Sequence, residues 1–363
     1  MKTQRTDAVL MNMQKLGVKQ AIFTDPLSIW YLTGYYTEPY ERFFALLVSG
    51  ETGTVKTTLF VNKLFPDATG AADTLVTFDD TDDPLPLVLS HLTPGAPLGV
   101  DKSLEARWLL PLVTNAQVGS VLVASNAVDQ ARSIKDAAEQ ELMREASRIN
   151  DKAMDWLVDQ LHVGVTEQTI AEGLLKAYRA LGAEGFSFTP IVSFGAHAAD
   201  PHHEPDETPL AAGDMVLFDV GCTYQRYCSD MTRTFFTQKP TARQLEVYDT
   251  VRRANEAAEA LIAPGVEFAE LDLCARKVIE DAGYGMYFTH RLGHQIGLVD
   301  HEPGDVSSTH HEPVRPGQCF SIEPGIYIPG EIGVRIEDLA IVQEGGHEIL
   351  NAYSHEPRVI PLS

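Results

Sequence analysis

The sequence predicts a mixed α/β protein, of the α+β kind, in two domains: a small N-terminal α/β domain over residues 1–125 and a larger C-terminal domain over 126–363. Three observations carry this. A chain of 363 residues exceeds the size at which one hydrophobic core usually stops growing. In the first third, short apolar runs alternate with helical patterns. Beyond it, long helical stretches are interleaved with strands that are apolar on both faces.

Taken in order, MKTQRTDAVLMNMQKLGVKQ reads as an amphipathic helix, and AIFT at 21–24, FFALLV at 43–48, TTLFV at 57–61 and PLGVD at 97–101 read as strands. The acidic DDTDDP at 79–84 reads as a solvated loop. The pattern loosens over VLVASNAVDQARS at 121–133, which places the domain boundary near residue 125. A long helix opens near Ile134 and runs through Met143, Ile149, Met154 and Leu157 toward Gly164. Thr166 is placed to cap a second helix with an apolar face of Ile170, Leu174, Tyr178 and Leu181, stopped by Gly182. A third follows Thr241 with Leu245, Tyr248, Val251 and Leu261 before Pro264, and a fourth spans roughly 267–282 before Gly283. MVLFDVG at 215–221, CFSIEPG at 319–325 and VRIEDLAIV at 334–342 suit buried strands.

A net charge of −23 opposes nucleic acid and anionic membranes as partners, because the long-range field repels polyanions. Part of that acidity fits a cation site. Cys222, Cys228, Cys274 and Cys319 form no CxxC pair or disulfide framework and read as structural thiols in a reducing compartment. No run approaches the roughly 18 apolar residues of a membrane span, and the N-terminal helix lacks the layout of a signal peptide, so a cytoplasmic location is expected.

Five residues stand out: Asp219, Asp230, His294, Glu323 and Glu337. Four carboxylates and one imidazole from separate strands are what a pair of divalent ions needs, since hard oxygen donors bridge cations and a neutral imidazole fills a terminal position. Each has a blander reading. Asp219 and Asp230, eleven residues apart around a turn-like centre, suit two paired strands, but an isolated pair of this spacing reads first as Asp219 capping a turn while Asp230 pairs with Arg233. His290, His294 and His301 stand among Gly293 and Gly297, and without the carboxylates they would read as a surface cluster. Glu323 and Glu337 lie in apolar strands, where a carboxylate is costly unless matched by positive charge. Arg335 could supply that charge, though not to both glutamates and both aspartates.

The segments LFDVG, YCSDMTRTFF, HRLGHQIG, DHEP, FSIEPGIY and GVRIED resemble the successive signatures of metallopeptidases with the methionine aminopeptidase, or pita-bread, fold. The resemblance runs over residues 130–350 and is strongest to bacterial Xaa-Pro dipeptidases (prolidases); YLTGYYTEPYERFFALLV adds a likeness to their creatinase/prolidase-like N-terminal domain. It implies a dinuclear-metal dipeptidase that cleaves Xaa-Pro dipeptides through a metal-bridging hydroxide. Asp219 would hold one metal, Asp230 and Glu337 would bridge the pair, and His294 and Glu323 would complete the second sphere. Manganese is the expected ion, with cobalt or zinc as substitutes.

By the same resemblance Glu323 would relay the proton of the attacking water, His301 would steady the oxyanion, and His290 and His202 would position the proline side. Tyr327 and Arg335 match residues supporting the ligands, while His203 reads as a bystander. Arg291 is either an anchor for the substrate's C-terminal carboxylate or a surface arginine. Glu38 to Arg42, with Tyr40 and Arg42, resembles a loop that reaches the substrate site across a homodimer. Three departures touch loop shape and substrate preference: Tyr40 where close relatives carry histidine, Gln295 where glycine is usual, and a reversed Val-Asp order before His301. The alternatives are an Xaa-Pro aminopeptidase taking longer peptides, and a metal-free creatinase-like hydrolase or inactive binding module, which would lack part of the five-ligand set.

Overall fold

The computed structural model describes residues 2–51 and 53–362 and divides into two compact units, Met1–Arg132 and Ser133–Ser363. In the N-terminal unit, β1 (Gln20–Phe23), β2 (Ala45–Ser49), β3 (Lys56–Asn62), β4 (Thr74–Phe78), β5 (Leu98–Val100) and β6 (Val121–Val123) form one sheet in the order β4-β3-β2-β1-β5-β6. The centre of the sheet is antiparallel and both flanks are parallel. Helices α1 (Lys2–Lys15), α2 (Pro26–Thr33), α3 (Pro84–Leu89), α4 (Ala106–Thr114) and α5 (Ser125–Ser133) accompany it. The four strands read from sequence are present within a residue or two. The two that sequence passed over, β4 and β6, are the sheet's edges, short and half-exposed, so neither carries a strong apolar run.

The stretch that loosens at 121–133 is ordered as β6 and α5. Helix α5 hides little beyond Ala127 and Val128 as apolar contact, so its periodicity is faint. Asn12 and Tyr31 tie it down by donating to the carbonyls of Ala127 and Ala131. The boundary expected at residue 125 falls where α5 begins, and the compact units part at its end. The DDTDDP segment is more organised than a solvated loop: Asp83 caps the Leu85 amide of α3, and Asp80 accepts from Arg42 at 2.9 Å and from Asn62 at 2.9 Å.

The C-terminal unit is built from two helix pairs, each on its own sheet. Helices α6 (Ala137–Asp159) and α7 (Glu167–Leu181) are followed by β7 (Gly185–Phe186), β8 (Ile191–Phe194), β9 (Met215–Val220), β10 (Cys222–Tyr224), β11 (Tyr227–Cys228) and β12 (Met231–Phe236). Helices α8 (Ala242–Leu261) and α9 (Phe268–Asp281) are followed by β13 (Gly293–Gln295), β14 (Glu302–Val306), β15 (Cys319–Ile322), β16 (Gly325–Ile328), β17 (Ile332–Arg335), β18 (Asp338–Gln343) and β19 (Gly346–Ile349). Strands β12-β9-β8 form one antiparallel sheet, β14-β13-β15-β18-β19 another, and β16 and β17 a hairpin. Ile149, Leu157, Leu174, Tyr178, Val216 and Phe218 fill the first core, and Val251, Phe268, Leu271, Phe320, Ile322 and Val334 the second.

Capping sets the helix limits. Helix α6 starts three residues later than the apolar pattern opens, because Asp136 and Glu139 close a capping box there. Thr166 caps α7 and Gly182 ends it at φ 100°, a left-handed conformation in which a side chain is strained. Thr241 with Gln244 opens α8, and Glu267 with Glu270 opens α9.

Each helix pair also sends one asparagine inward. Asn150 on α6, fully buried, donates to the carbonyl of Val220 at 2.8 Å and accepts the Tyr178 hydroxyl at 2.6 Å. Asn255 on α8 donates to the carbonyls of Ile322 at 3.0 Å and Ile336 at 3.4 Å. These carbonyls lie next in chain to Asp219, Glu323 and Glu337, so helix and acidic strand are joined where the carboxylates emerge. Asn150→Leu leaves a buried carbonyl and a buried hydroxyl unpartnered and should cost about 1–3 kcal/mol. Urea denaturation of the metal-free protein checks this; unchanged stability would mean that the tie contributes nothing.

Candidate metal centre

Asp219 sits on β9 opposite Thr232 of β12, and Asp230 immediately precedes β12. Between them the chain leaves β9 at Gly221, where a Cβ would strike the Ser229 carbonyl and the Ser187 hydroxyl. It then turns through the β10–β11 hairpin at Gln225 and Arg226, with φ of 45° and 72°. The expected pair of strands carrying Asp219 and Asp230 therefore forms, with a second hairpin inserted. His294 lies on β13 at a register shift, Glu323 follows β15, and Glu337 stands between β17 and β18.

These side chains converge. Ligand atoms of Asp230, His294 and Glu337 lie within 4.8 Å of one another, and His294 Nε2 is 3.5 Å from Asp230 and 3.7 Å from Glu323. Asp219 accepts from Arg335 Nη2 at 2.5 Å. Neither blander pairing of the aspartates occurs: Arg233 instead grips Asp338 at 2.6 Å and the carbonyls of Thr232, Glu337 and Tyr353. One oxygen each of Asp219, Asp230 and Glu337 is buried without a hydrogen-bond partner. A buried carboxylate oxygen left bare costs free energy that a cation recovers, so the donor set fits divalent ions.

A chain of hydrogen bonds orients these groups. His290 Nδ1 donates to the Arg291 carbonyl at 2.7 Å, which leaves Nε2 to accept the Tyr327 hydroxyl at 2.9 Å. That hydroxyl accepts from Arg335 Nη1 at 2.8 Å, and Arg335 Nε donates to Thr232 Oγ1 at 2.9 Å. Thr232 in turn donates to Glu337 Oε2 at 2.7 Å. His294 Nδ1 faces the Gln295 carbonyl at 3.3 Å, so its Nε2 lone pair points toward the carboxylates, the tautomer of a metal ligand.

Burial sets the proton affinities. It pushes Glu323 up to about 8, against the pull of Arg335, and raises Asp230 and Glu337 together with the repulsion of their acidic neighbours. It lowers His294 to about 3 and His290 to about 4, with His301 and Arg335 as the respective next causes, so both imidazoles are neutral near pH 7.

The carboxylates face a cavity of about 660 Å³, also lined by His202, His290, Arg291, His294, His301 and Arg335. Tyr327 is buried and reaches it through His290 and Arg335. Tyr40 and Arg42 belong to the N-terminal unit, where Tyr40 is 73% exposed at φ 51° and Arg42 pairs with Asp80. Gln295 is buried against Gly304, where a Cβ would collide with its amide. Sequence reasoning missed Thr232, which bonds both Glu337 and Arg335; its alternation with Asp230 along MTRT was the available signal. Asp300 is a further residue of the cavity that the sequence presents only as part of the reversed Val-Asp order. Asp300 lines the cavity, is held up at about 7 by burial and by Asp219, and keeps an unpartnered oxygen.

Residues 141–344 match the model of metallopeptidase family M24, and residues 5–134 match the creatinase/prolidase N-terminal domain. The chain belongs to metallopeptidase family M24. An uncharacterized peptidase of Staphylococcus aureus is 38% identical over 92% of this chain and 94% of its own length. The solved dipeptidase PepE from Mycobacterium ulcerans superposes with a TM-score of 0.92 at 34% identity, covering 99% of this chain and 98% of that one. A prolidase from Thermococcus sibiricus does so with a TM-score of 0.91 at 29% identity, covering 99% of both. The M24 chain thus carries the pita-bread fold, with the five expected ligand positions gathered on one wall of its cavity. Among the described residues, no helix is long and apolar enough to cross a membrane.

The shifts fix a sign for pH dependence in the metal-free protein. Glu323 has a folded value near 8 against an ordinary 4.5, so its stabilising contribution is complete below 4.5 and is lost as pH rises through 8. His294, near 3 against 6.5, contributes above 6.5 and loses that contribution as pH falls through 3. A bound cation favours the ionised carboxylates and removes the loss on the alkaline side. The rise in melting temperature on adding manganese should therefore grow between about pH 5 and pH 8. A rise independent of pH would show carboxylates already ionised without metal.

Proposed function

We propose that this M24 protein is a dinuclear-metal dipeptidase hydrolysing Xaa-Pro dipeptides, a cytoplasmic homodimer using manganese. The observation that carries the reading is the set of buried, part-unpartnered carboxylates facing a compact cavity rimmed by histidines and an exposed arginine. Asp219, Asp230, His294, Glu323 and Glu337 would together hold the metal pair. Four carboxylates against one imidazole favour manganese, with cobalt or zinc as substitutes when supplied. Four free cysteines fit a reducing compartment. Tyr40, solvent-facing on a left-handed backbone, and Arg42 belong to the segment assigned to the substrate site of the partner protomer.

Bound there, a pair of divalent ions supplies Lewis acidity and lowers the pKa of water toward neutrality. Glu323 takes the proton of the attacking water and returns it to the leaving nitrogen of proline. The peptide nitrogen of an Xaa-Pro bond bears no hydrogen, so a site for it relies on gripping the ring and the carboxylate. His202 and neutral His290 flank the ring, and His301 faces the oxyanion. Arg291, exposed on the cavity wall, pairs with the substrate carboxylate, while Arg335 and Tyr327 hold Asp219 and His290 in place. The named dipeptidase and prolidase relatives support the same substrate class.

Metal-replete protein should cleave Leu-Pro faster than an X-Pro-X tripeptide; the reverse order would make it an aminopeptidase, and no hydrolysis of either would return the metal-free or binding-module reading. Arg291→Ala should raise KM for the dipeptide about tenfold or more with little change in kcat, the loss of a charge-assisted bond of about 1.5–3 kcal/mol. Glu323→Gln should lower kcat about 10²- to 10⁴-fold, read in the same assay.

A further inference from the structure

A second constellation of ligand-type residues adjoins the wall that carries His202, and shares His203 with it. Glu167, the first residue of α7, has a side chain that is 0% exposed. Its Oε1 accepts from His197 Nδ1 at 3.0 Å and from the Phe194 amide at 2.7 Å. Its Oε2 accepts from His203 Nε2 at 2.7 Å and from the Asp206 amide at 3.3 Å. The two imidazole centroids lie 4.1 Å apart with the rings tilted by 36°. Glu167, His197, His203 and Asp206 each offer a ligand atom, and these four atoms lie within 4.8 Å of one another. The Thr208 amide bonds Asp206 Oδ1 at 2.7 Å, and Glu167 and Gln168 donate main-chain bonds to Thr208 and Asp206. Helix start and loop are thus locked in register.

We propose that Glu167, His197, His203 and Asp206 form a zinc site separate from the M24 catalytic centre. Two neutral imidazoles and two carboxylates around one dication leave no net charge. The nitrogens that now donate to Glu167 become ligands when each imidazole proton moves to its other nitrogen, so no proton need leave the rings. A donor set of two nitrogens and two oxygens in a four-member cluster is that of tetrahedral zinc, while the catalytic centre, with one imidazole among four carboxylates, suits manganese. The bonds from Phe194 and Asp206 to Glu167 and from Thr208 to Asp206 are the outer contacts that orient metal-binding carboxylates. Occupancy would anchor the segment Pro201–Pro205, which lines the catalytic cavity.

The test uses a full-length Asp230→Asn/His294→Ala double variant, whose catalytic centre is crippled, equilibrated with zinc against a competing chromophoric chelator. One zinc per chain should bind, with a rise in melting temperature. Adding His197→Asn and His203→Gln, which keep donors for buried Glu167 and so preserve the fold, should weaken that binding by at least about tenfold. Conversely, His197→Asn/His203→Gln in an otherwise intact chain should retain its manganese and lose one zinc. Absence of zinc binding in the crippled variant, or binding unaffected by the histidine changes, would overturn the site.

Discussion

The C-terminal unit depends on one electrostatic constraint: acidic side chains are buried together with too little positive charge among them. Asp219, Asp230, Glu323, Glu337 and Asp300 share a cavity wall in which Arg335 is the buried cation. Like charges at such distances in a poorly solvated setting repel strongly, and the raised proton affinities of Glu323, Asp230 and Glu337 are its direct expression. A fold that keeps this arrangement needs rigid supports on both sides of the cavity.

Two helix pairs provide that support. Each presents an apolar face to its own sheet, and each inserts an asparagine that bonds a main-chain carbonyl beside an acidic residue. Arg233 adds a third anchor, holding the Glu337 carbonyl and the Asp338 carboxylate at once. The backbone beside the carboxylates is thereby fixed, while one oxygen each of Asp219, Asp230 and Glu337 stays without a hydrogen-bond partner. Such a division of labour is what preorganised ligand sets require.

Much of this was legible in the chain. The long helices announce themselves through apolar spacing and caps such as Thr166, Thr241 and Gly182, and the strands beside the acidic residues through apolar runs interrupted by one or two acids. Strands β4 and β6 were not, because edge strands are half-solvated and short; α5 was not, because its buried face is small. Within the site, a sequence shows which residues are acidic but not which hydroxyl stands between two of them. Thr232 is therefore invisible until β9 and β12 are paired. Asp300 and His203 look like a loop irregularity and a bystander in the chain, since local sequence does not reveal that one faces the carboxylates and the other a buried glutamate thirty-six residues away.

Charge balance ties the parts together. Were all five carboxylates ionised, Arg335 would balance only one of them, so the wall has room for added positive charge of the kind that divalent ions supply. Arg291, exposed on the cavity wall, is a weaker contributor that also draws Glu323 down. His290, kept neutral by burial and by Arg335, adds no charge and accepts from Tyr327 in the one tautomer its neighbours permit. Substitution of Arg335 would thus upset two systems at once: the compensation of Asp219, and the hydrogen-bond chain through Tyr327 and Thr232 that links His290 to Glu337. Its place in the molecule follows from that double duty, because no lysine, with a single point charge, could serve Asp219, Tyr327 and Thr232 from one planar group.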